Sequence, residues 1–359
     1  MLGKLPPPYY GPAMATQIIL NSKLKDNFQL IHLKTNLNES LDTIQKFSIS
    51  KPFKQFGIIF KLIWFIVRYQ PDLVYLTTIS QSTTGFLKDS PYILISKLFF
   101  RKVLIQLRGS NWKNWLTKSS IFTQWYVKTI VKSCNGVIVL GNNLRYLFED
   151  CFPDDKIYVV PNGANYQFPE VTSKNKKTNI LWLSNLIPTK GIEDFLQAMN
   201  ILSEKELNIQ VNIVGAWRND EFKKKCLNLL QGNPSVTFHG ALSGGEKLYQ
   251  LSAADIFVFV PRAPEGHPWV IVEAMAAGLP IIATNQGAII ESVSDGVNGY
   301  IVNPMNSGQV AEKIQYLIDN PDMREKMKRE SRRIYEEKFT QDKMAEKLGI
   351  AFNKVLENG

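Results

Sequence analysis

Cysteine is scarce. Cys134, Cys151 and Cys226 are the three in 359 residues, odd in number and far apart. That usage excludes a disulfide-stapled scaffold, and without metal-ligand spacing it excludes a zinc site; it points to a reducing compartment. Histidine is equally sparse, at three residues, and forms no Ser/His/Asp pattern. There is no Walker A loop and no Asp-x-Asp motif. Long apolar runs are missing too. The most apolar stretch, FGIIFKLIWFIV at 56–67, is twelve residues long with Lys61 inside it, too short to span a bilayer. The opening MLGKLPPPYYG has no apolar core before its prolines, so no signal peptide is expected and the chain reads as cytoplasmic.

What is present is a globular composition with a lopsided charge. The length allows two domains, each with its own core. Residues 1–167 carry 20 Lys and Arg against 9 Asp and Glu (20 − 9 = +11), whereas residues 168–359 carry 22 against 23 (22 − 23 = −1). The surplus points to an anionic partner for the first half, such as a membrane surface, a lipid diphosphate or nucleic acid, or else to a solvated basic face. Trp112, Trp115, Trp125 and Tyr126 interleave with Lys113, Lys118, Lys128 and Lys132, which suits either a headgroup layer or an acceptor-binding lobe. Stretch 56–67 has the same two readings: a crossover helix packed between strands, or a helix at the bilayer interface.

Short apolar strands alternate with helical patterns along the whole chain, the mark of parallel sheets built of βα units. The first half offers strands at Gln29–Leu33, Leu73–Thr77, Val103–Leu107, Val137–Leu140 and Tyr158–Val160. A polar, lysine-rich linker candidate runs from Tyr166 to Thr178. The alternation then restarts at Ile180–Leu183, Val211–Val214, Val236–Phe238, Ile256–Val260, Ile281–Thr284 and Tyr300–Val302. The expected division is 1–167, 168–340 and a closing helix at 341–359. Met1 to Leu5 leave little room before Pro6 for a first strand of ordinary length.

The densest information lies in APEGHPWVIVEAMAAGLPIIATNQG, where Glu265 and Glu273 stand eight residues apart. Strand 256–260 precedes this run. Pro264 to Pro268 punctuate it, a helix over Val270–Ala277 follows, and Gly278 with Pro280 ends that helix. Glu265 thus falls in the loop at a strand's carboxyl end and Glu273 on the next helix. In an open parallel sheet ligands bind at that edge. Two carboxylates there can accept hydrogen bonds from several hydroxyls of a polyol.

Residues 265–302, EGHPWVIVEAMAAGLPIIATNQGAIIESVSDGVNGYIV, resemble the donor-binding segment of the retaining glycosyltransferases of family 4. That family's form is close to EG-F-P-L-V-I-L-E-A-M-A-A-G-L-P-V-I, then G-G/A-x-x-E and D-G-x-N-G; His267 stands where an aromatic such as Phe is common. The resemblance implies an α/β fold of the GT-B type, two Rossmann-like domains whose parallel sheets face each other across a cleft. It implies a retaining, metal-independent transferase with no cofactor, using a nucleotide sugar as co-substrate. Missing Asp-x-Asp fits that class rather than the metal-dependent GT-A class. The last helix is then expected to cross back to the first domain.

Residue by residue, the resemblance implies that Glu273 accepts from the ribose hydroxyls and Glu265 from those of the sugar. Pro268 and His267 lie in the same donor segment, and the amides around Gly287 meet the diphosphate. Ser184 to Gly191 (SNLIPTKG) matches the segment in which an Arg and a Lys grip the diphosphate. Lys190 matches the Lys, but Asn185 stands at the Arg position, and Arg262 is the candidate to replace it. A helix starting near Ile192 would present its positive end to phosphate. Gly215 borders the nucleotide, and the adjacent Trp217 either stacks on the base or packs. His239 reads as structural. In the first half Gly11 lies in a proline–glycine loop resembling one near the donor phosphates. Arg108, Trp112 and Lys113 are acceptor-side candidates; Arg108 holds its proton at neutral pH and so binds anions rather than acting as a base. The expected acceptor is a glycan or lipid-linked saccharide in cell-surface polysaccharide biosynthesis, with the protein peripheral at the inner face of the cell membrane and no nucleic acid partner. Two alternatives stand beside this reading: a sugar-nucleotide epimerase or hydrolase on the same fold, and a non-catalytic anion-binding protein.

Overall fold

The computed structural model describes residues 1–37, 50–171, 177–205, 208–230 and 235–357. The chain divides into two compact units, Met1–Ala164 with Gln341–Gly359, and Asn165–Thr340. The change of unit comes slightly before the boundary expected at 167, because Tyr166 and Phe168 pack as aromatic side chains on the core of the second unit. Positions 172–176 of the expected linker lie outside the described residues.

In the first unit the strands are β1 (Leu2–Gly3), β2 (Leu33–Lys34), β3 (Leu73–Leu76), β4 (Lys102–Gln106), β5 (Gly136–Val139) and β6 (Ile157–Val159). Its helices are α1 (Gly11–Leu20), α2 (Leu24–Asn27), α3 (Ser50–Tyr69), α4 (Thr83–Leu98), α5 (Trp112–Thr117) and α6 (Ile121–Lys132). The strands form one parallel sheet in the order β2-β1-β3-β4-β5-β6. Strand β1 lies inside the sheet although it has two residues, Leu2 and Gly3, paired with Leu33 and Lys34. That brevity explains why the expected strand Gln29–Leu33 shrinks to Leu33–Lys34: little chain stands opposite to pair with.

The second unit holds β7 (Thr178–Leu183), β8 (Ile209–Val214), β9 (Val236–Gly240), β10 (Ile256–Phe259), β11 (Ile281–Thr284) and β12 (Gly299–Val302). Its helices are α7 (Ile192–Ser203), α8 (Asp220–Leu229), α9 (Gly244–Ala253), α10 (Trp269–Ala276), α11 (Ser307–Asp319) and α12 (Pro321–Lys338). Its strands order as β12-β11-β10-β7-β8-β9, all parallel. β7, β8, β10 and β11 are rich in Ile, Val, Leu and Phe and largely buried, the composition of strands covered on both faces. Chain order reverses between β7 and β10. Loops leaving those two strands turn to opposite faces of the sheet, and the crevice between them is the place where doubly wound sheets bind ligands.

The last helix, α13 (Gln341–Glu357), belongs to the first unit. Met344, Leu348, Phe352 and Val355 enter the core formed by Ile19, Leu24, Tyr75, Leu104 and Ile138. Phe352 meets the rings of Phe28 and Tyr75 edge-on at 5.4 and 5.2 Å.

Candidate active site

The loop after β7 and the loop after β10 carry the central charge pair. Lys190 closes a 3₁₀ turn (Pro188–Lys190), and its Nζ donates to Glu265 Oε1 at 2.6 Å. Both side chains are mostly covered, at 22% and 17% exposure. Three hydrogen bonds to main-chain carbonyls fix this arrangement. The amide of Arg262 donates to the Thr189 carbonyl at 2.9 Å, that of Ala288 to the Gly266 carbonyl at 2.9 Å, and Thr284 Oγ1 to the Pro261 carbonyl at 2.7 Å. Two glycines make the approach possible. Gly191 and Gly287 have φ of +79° and +58°, and a Cβ on them would overlap the carbonyls of Val260 and Glu265.

Glu273 sits on α10, 8% exposed, and receives a 2.6 Å bond from Lys247 Nζ on α9. Burial pushes the Glu273 carboxyl up from its ordinary value of 4.5, and Lys247 opposes that shift in part. The Tyr166 hydroxyl, buried near Glu273, is held well above its ordinary value of 10 by burial first and the carboxylate second. Lys247 was not singled out in the sequence. Its signal was weak: a lysine in GGEKLYQ on a helix preceding the strand, 26 residues from its partner.

Arg262 is placed differently from the expectation. Its Nε and Nη2 grip both oxygens of Asp194 at 2.8 and 2.7 Å, and Nη1 bonds Glu193 at 2.6 Å; Lys225 bonds the other Glu193 oxygen at 2.5 Å. The two cations and two carboxylates balance, so Arg262 brings no net charge to a phosphate and serves to clamp the β10 loop onto α7. The same cluster revises the expectation for the start of α7. Its first turn carries Glu193 and Asp194, both buried, and these already answer the positive end of that helix.

Asn185 is exposed after β7, and the guanidinium of Arg218 stands 3.5 Å from its Oδ1. The loops after β7 and β8 are tied there by the Leu186 amide, which donates to Ala216 at 3.0 Å. Arg218 thus supplies a cation from the neighbouring loop at the place where the family pattern has an arginine and this chain has Asn185. Gly215 lies at the same crossing, its amide donating to Gly240 at 2.7 Å. Trp217 packs against Phe222 and Phe238 at 6.0 and 5.7 Å, which is the packing reading. His239 bonds Asn212 at 2.7 Å, and Pro268 caps α10.

Three expectations are corrected. The His267 ring is 3% exposed, bonds Ser292 at 2.6 Å and lies against Phe339 at 5.0 Å, so it holds the loop from inside and does not face a donor. Trp112 is 1% exposed in the first unit's core against Phe86, Trp115 and Phe148, because its indole fills the space between three helical segments. Arg108 spends its donors inside the fold, on the Thr77 carbonyl at 2.8 Å, Asn162 at 2.9 Å and Gln106 at 2.8 Å. Lys113 lies over the Tyr146 ring at 5.3 Å, and Gly11 opens α1.

Replacing Arg262 by Met leaves Asp194 and Glu193 covered with less counter-charge. We expect a loss of about 2–4 kcal/mol, the arginine being partly exposed, and Arg262→Lys to restore only part of it because a lysine cannot grip two oxygens in one plane. Thermal and urea unfolding of the two variants check this; an unchanged midpoint in Arg262→Met would refute the clamp.

Residues 165–334 match the family model described as Glycosyl transferases group 1. Among curated proteins the chain is similar to the capsular polysaccharide biosynthesis glycosyltransferase CapM of Staphylococcus aureus, 25% identical over 254 residues and 66% of each chain. It spans just under two thirds of the length of such relatives. Among solved structures it resembles HepE of Anabaena in complex with UDP, at a TM-score of 0.77 and 16% identity over 98% of both chains. It also resembles a glycosyltransferase from Rickettsia africae, at 0.72 and 21%, over 94% of this chain and 88% of that one. The fold is that of the GT-B proteins, and residues 165–334, just under half of the chain, are similar to the glycosyl transferases group 1.

Proposed function

We propose that the protein is a retaining glycosyltransferase of the family 4 type, moving a sugar from a nucleotide sugar to a glycan or lipid-linked saccharide acceptor in cell-surface polysaccharide biosynthesis, at the cytoplasmic side of the membrane. The observation that carries this reading is the pair of lysine-held carboxylates, Lys190–Glu265 and Lys247–Glu273, each at 2.6 Å beside the point where strand order reverses. In this reading one oxygen of Glu273 stays with Lys247 while the other accepts from the ribose hydroxyls, and Glu265 does the same for the sugar with Lys190. A lysine ammonium has three donors, so Lys190 can hold Glu265 and reach a phosphate oxygen together. Arg218 is the second diphosphate cation. The acceptor oxygen attacks the anomeric carbon, the bond to the diphosphate breaks, and a diphosphate oxygen takes the acceptor proton. The protein then contributes orientation and charge stabilisation on the leaving group. That HepE was solved with UDP supports beginning with UDP sugars.

Glu265→Gln tests the sugar contact. It should keep nucleotide affinity and fold but lose transfer by about a hundredfold, since the sugar is no longer held in its reactive pose. Turnover of a sugar-nucleotide panel, read as released nucleotide with and without glycan acceptor, decides it; undiminished turnover removes Glu265 from the mechanism.

Glu273 gives a pH signature. Its folded value lies above 4.5, so ribose binding should weaken on acidification at a higher pH than an ordinary glutamate would cause. The empty protein should move the other way: a carboxyl raised by folding takes up a proton in the folded state, so its contribution to stability grows as pH falls through the same interval. Glu273→Gln should bind nucleotide about tenfold or more weakly and lose both trends. Titrations by calorimetry and thermal shift from neutral to mildly acidic pH follow the two signs, and parallel wild-type and variant curves would count against the assignment.

Arg218→Ala should lower nucleotide-sugar affinity roughly tenfold, a modest loss because the guanidinium is exposed. Asn185→Arg added to that variant should recover most of it, and a double variant as weak as the single one would show that no cation belongs there.

A further inference from the structure

Helix α3 turns an apolar stripe outward. Phe53, Phe56, Phe60, Trp64 and Val67 are 74, 60, 70, 55 and 58% exposed. At 100° per residue they fall within an arc of about 80°. Ile58, Leu62 and Ile66, all buried, occupy the opposite side and fasten the helix to its unit. Lys54, Lys61 and Arg68 recur every seven residues and form a row beside the stripe, and Ser50–Tyr69 contains no Asp or Glu. Neighbouring helix α4, joined by Gln55 donating to the Lys88 carbonyl at 2.8 Å, leaves Leu98 exposed, and α6 leaves Phe122 and Trp125 exposed.

We propose that α3 is a docking face for an anionic lipid surface, lying flat in the headgroup layer with its stripe in the acyl boundary. The face that would otherwise waste five large apolar side chains on water is the one lined with cations, and it belongs to the half of the chain whose formal charge is +11 (20 − 9). A protein partner or a second copy would be matched by shape and by acids opposite these cations; a copy of the same acid-free, basic helix offers none. A stripe of rings with a basic flank has what an interfacial helix needs, apolar insertion plus attraction to lipid phosphates. No helix among the described residues is long and apolar enough to cross a membrane, so the helix lies on the surface. Of the Trp112 to Lys132 stretch, Trp112 is in the core, whereas Trp125 on α6 is exposed. The proposal stands apart from the sugar-transfer reading and uses none of its residues.

The test is co-sedimentation of the whole protein with phosphatidylcholine vesicles, alone and with about 30% phosphatidylglycerol, at low and raised salt. The wild type should bind the anionic vesicles at low salt and release as salt rises. Phe60→Ser with Trp64→Ser should weaken binding at least about tenfold, and Lys61→Glu with Arg68→Glu should abolish the preference for anionic lipid. All four positions are exposed, so both variants should keep the wild-type melting midpoint. The idea fails if the wild type ignores anionic vesicles at low salt, if either variant binds like the wild type, or if the wild type is a dimer that the Ser variant dissociates without losing vesicles. Vesicle binding without sugar transfer would overturn the functional reading and leave this one intact; transfer to soluble acceptors without vesicle binding would do the reverse.

Discussion

The site depends on β7 and β10 being neighbours although 72 residues separate the end of one from the start of the other. Parallel pairing puts their carboxyl ends at one edge, and the loops that leave them must part because their helices cover opposite faces. Lys190 and Glu265, 75 apart in sequence, meet in that gap. The meeting is held by main-chain bonds between the loops, and the glycines at 191 and 287 allow backbone to pass where a side chain would collide. The Arg262 cluster adds a charged rivet at the base of the same gap.

Both carboxylates are covered enough that an unpaired charge would be costly, and each has a lysine at 2.6 Å. The pairing keeps an ionised acceptor in place before any ligand arrives, so little reorganisation is left for the bound state. At Glu273 burial outweighs the opposing lysine. The net result is an edge rich in fixed acceptors with cations close behind them, the pattern a molecule with both hydroxyls and phosphates needs.

Much of the architecture was legible because strands covered on both faces read as short β-branched runs and the gaps between them fit helices. The positions of Glu265, Glu273 and Lys190 were legible from motif and punctuation. What escaped reading were relations across space. Lys247 and Arg218 reach their partners from other elements, and nothing local marks them. Arg262 looked available because its sequence neighbours are neutral, while Glu193 and Asp194, which bind it, follow a different strand. Trp112 looked like a surface ring amid lysines, yet it shares the buried side of α5 with Leu116, four residues on. In α3 nearly every position but the lysines is apolar, so sequence could not tell the buried Ile58–Leu62–Ile66 side from the exposed one.

The place of α13 has a consequence for biosynthesis. Residues 165–340 form a continuous unit, whereas the core around Tyr75, Leu104 and Ile138 is completed by Met344, Leu348 and Phe352, which leave the ribosome after that whole unit. Domains usually fold in the order of synthesis. Here the order inverts: the later-made unit closes first, and the earlier one waits with an uncovered groove beside an already apolar helix α3. During that interval nascent chains are most open to chaperones and to one another, and a truncation that spares the entire second unit would still strand the first.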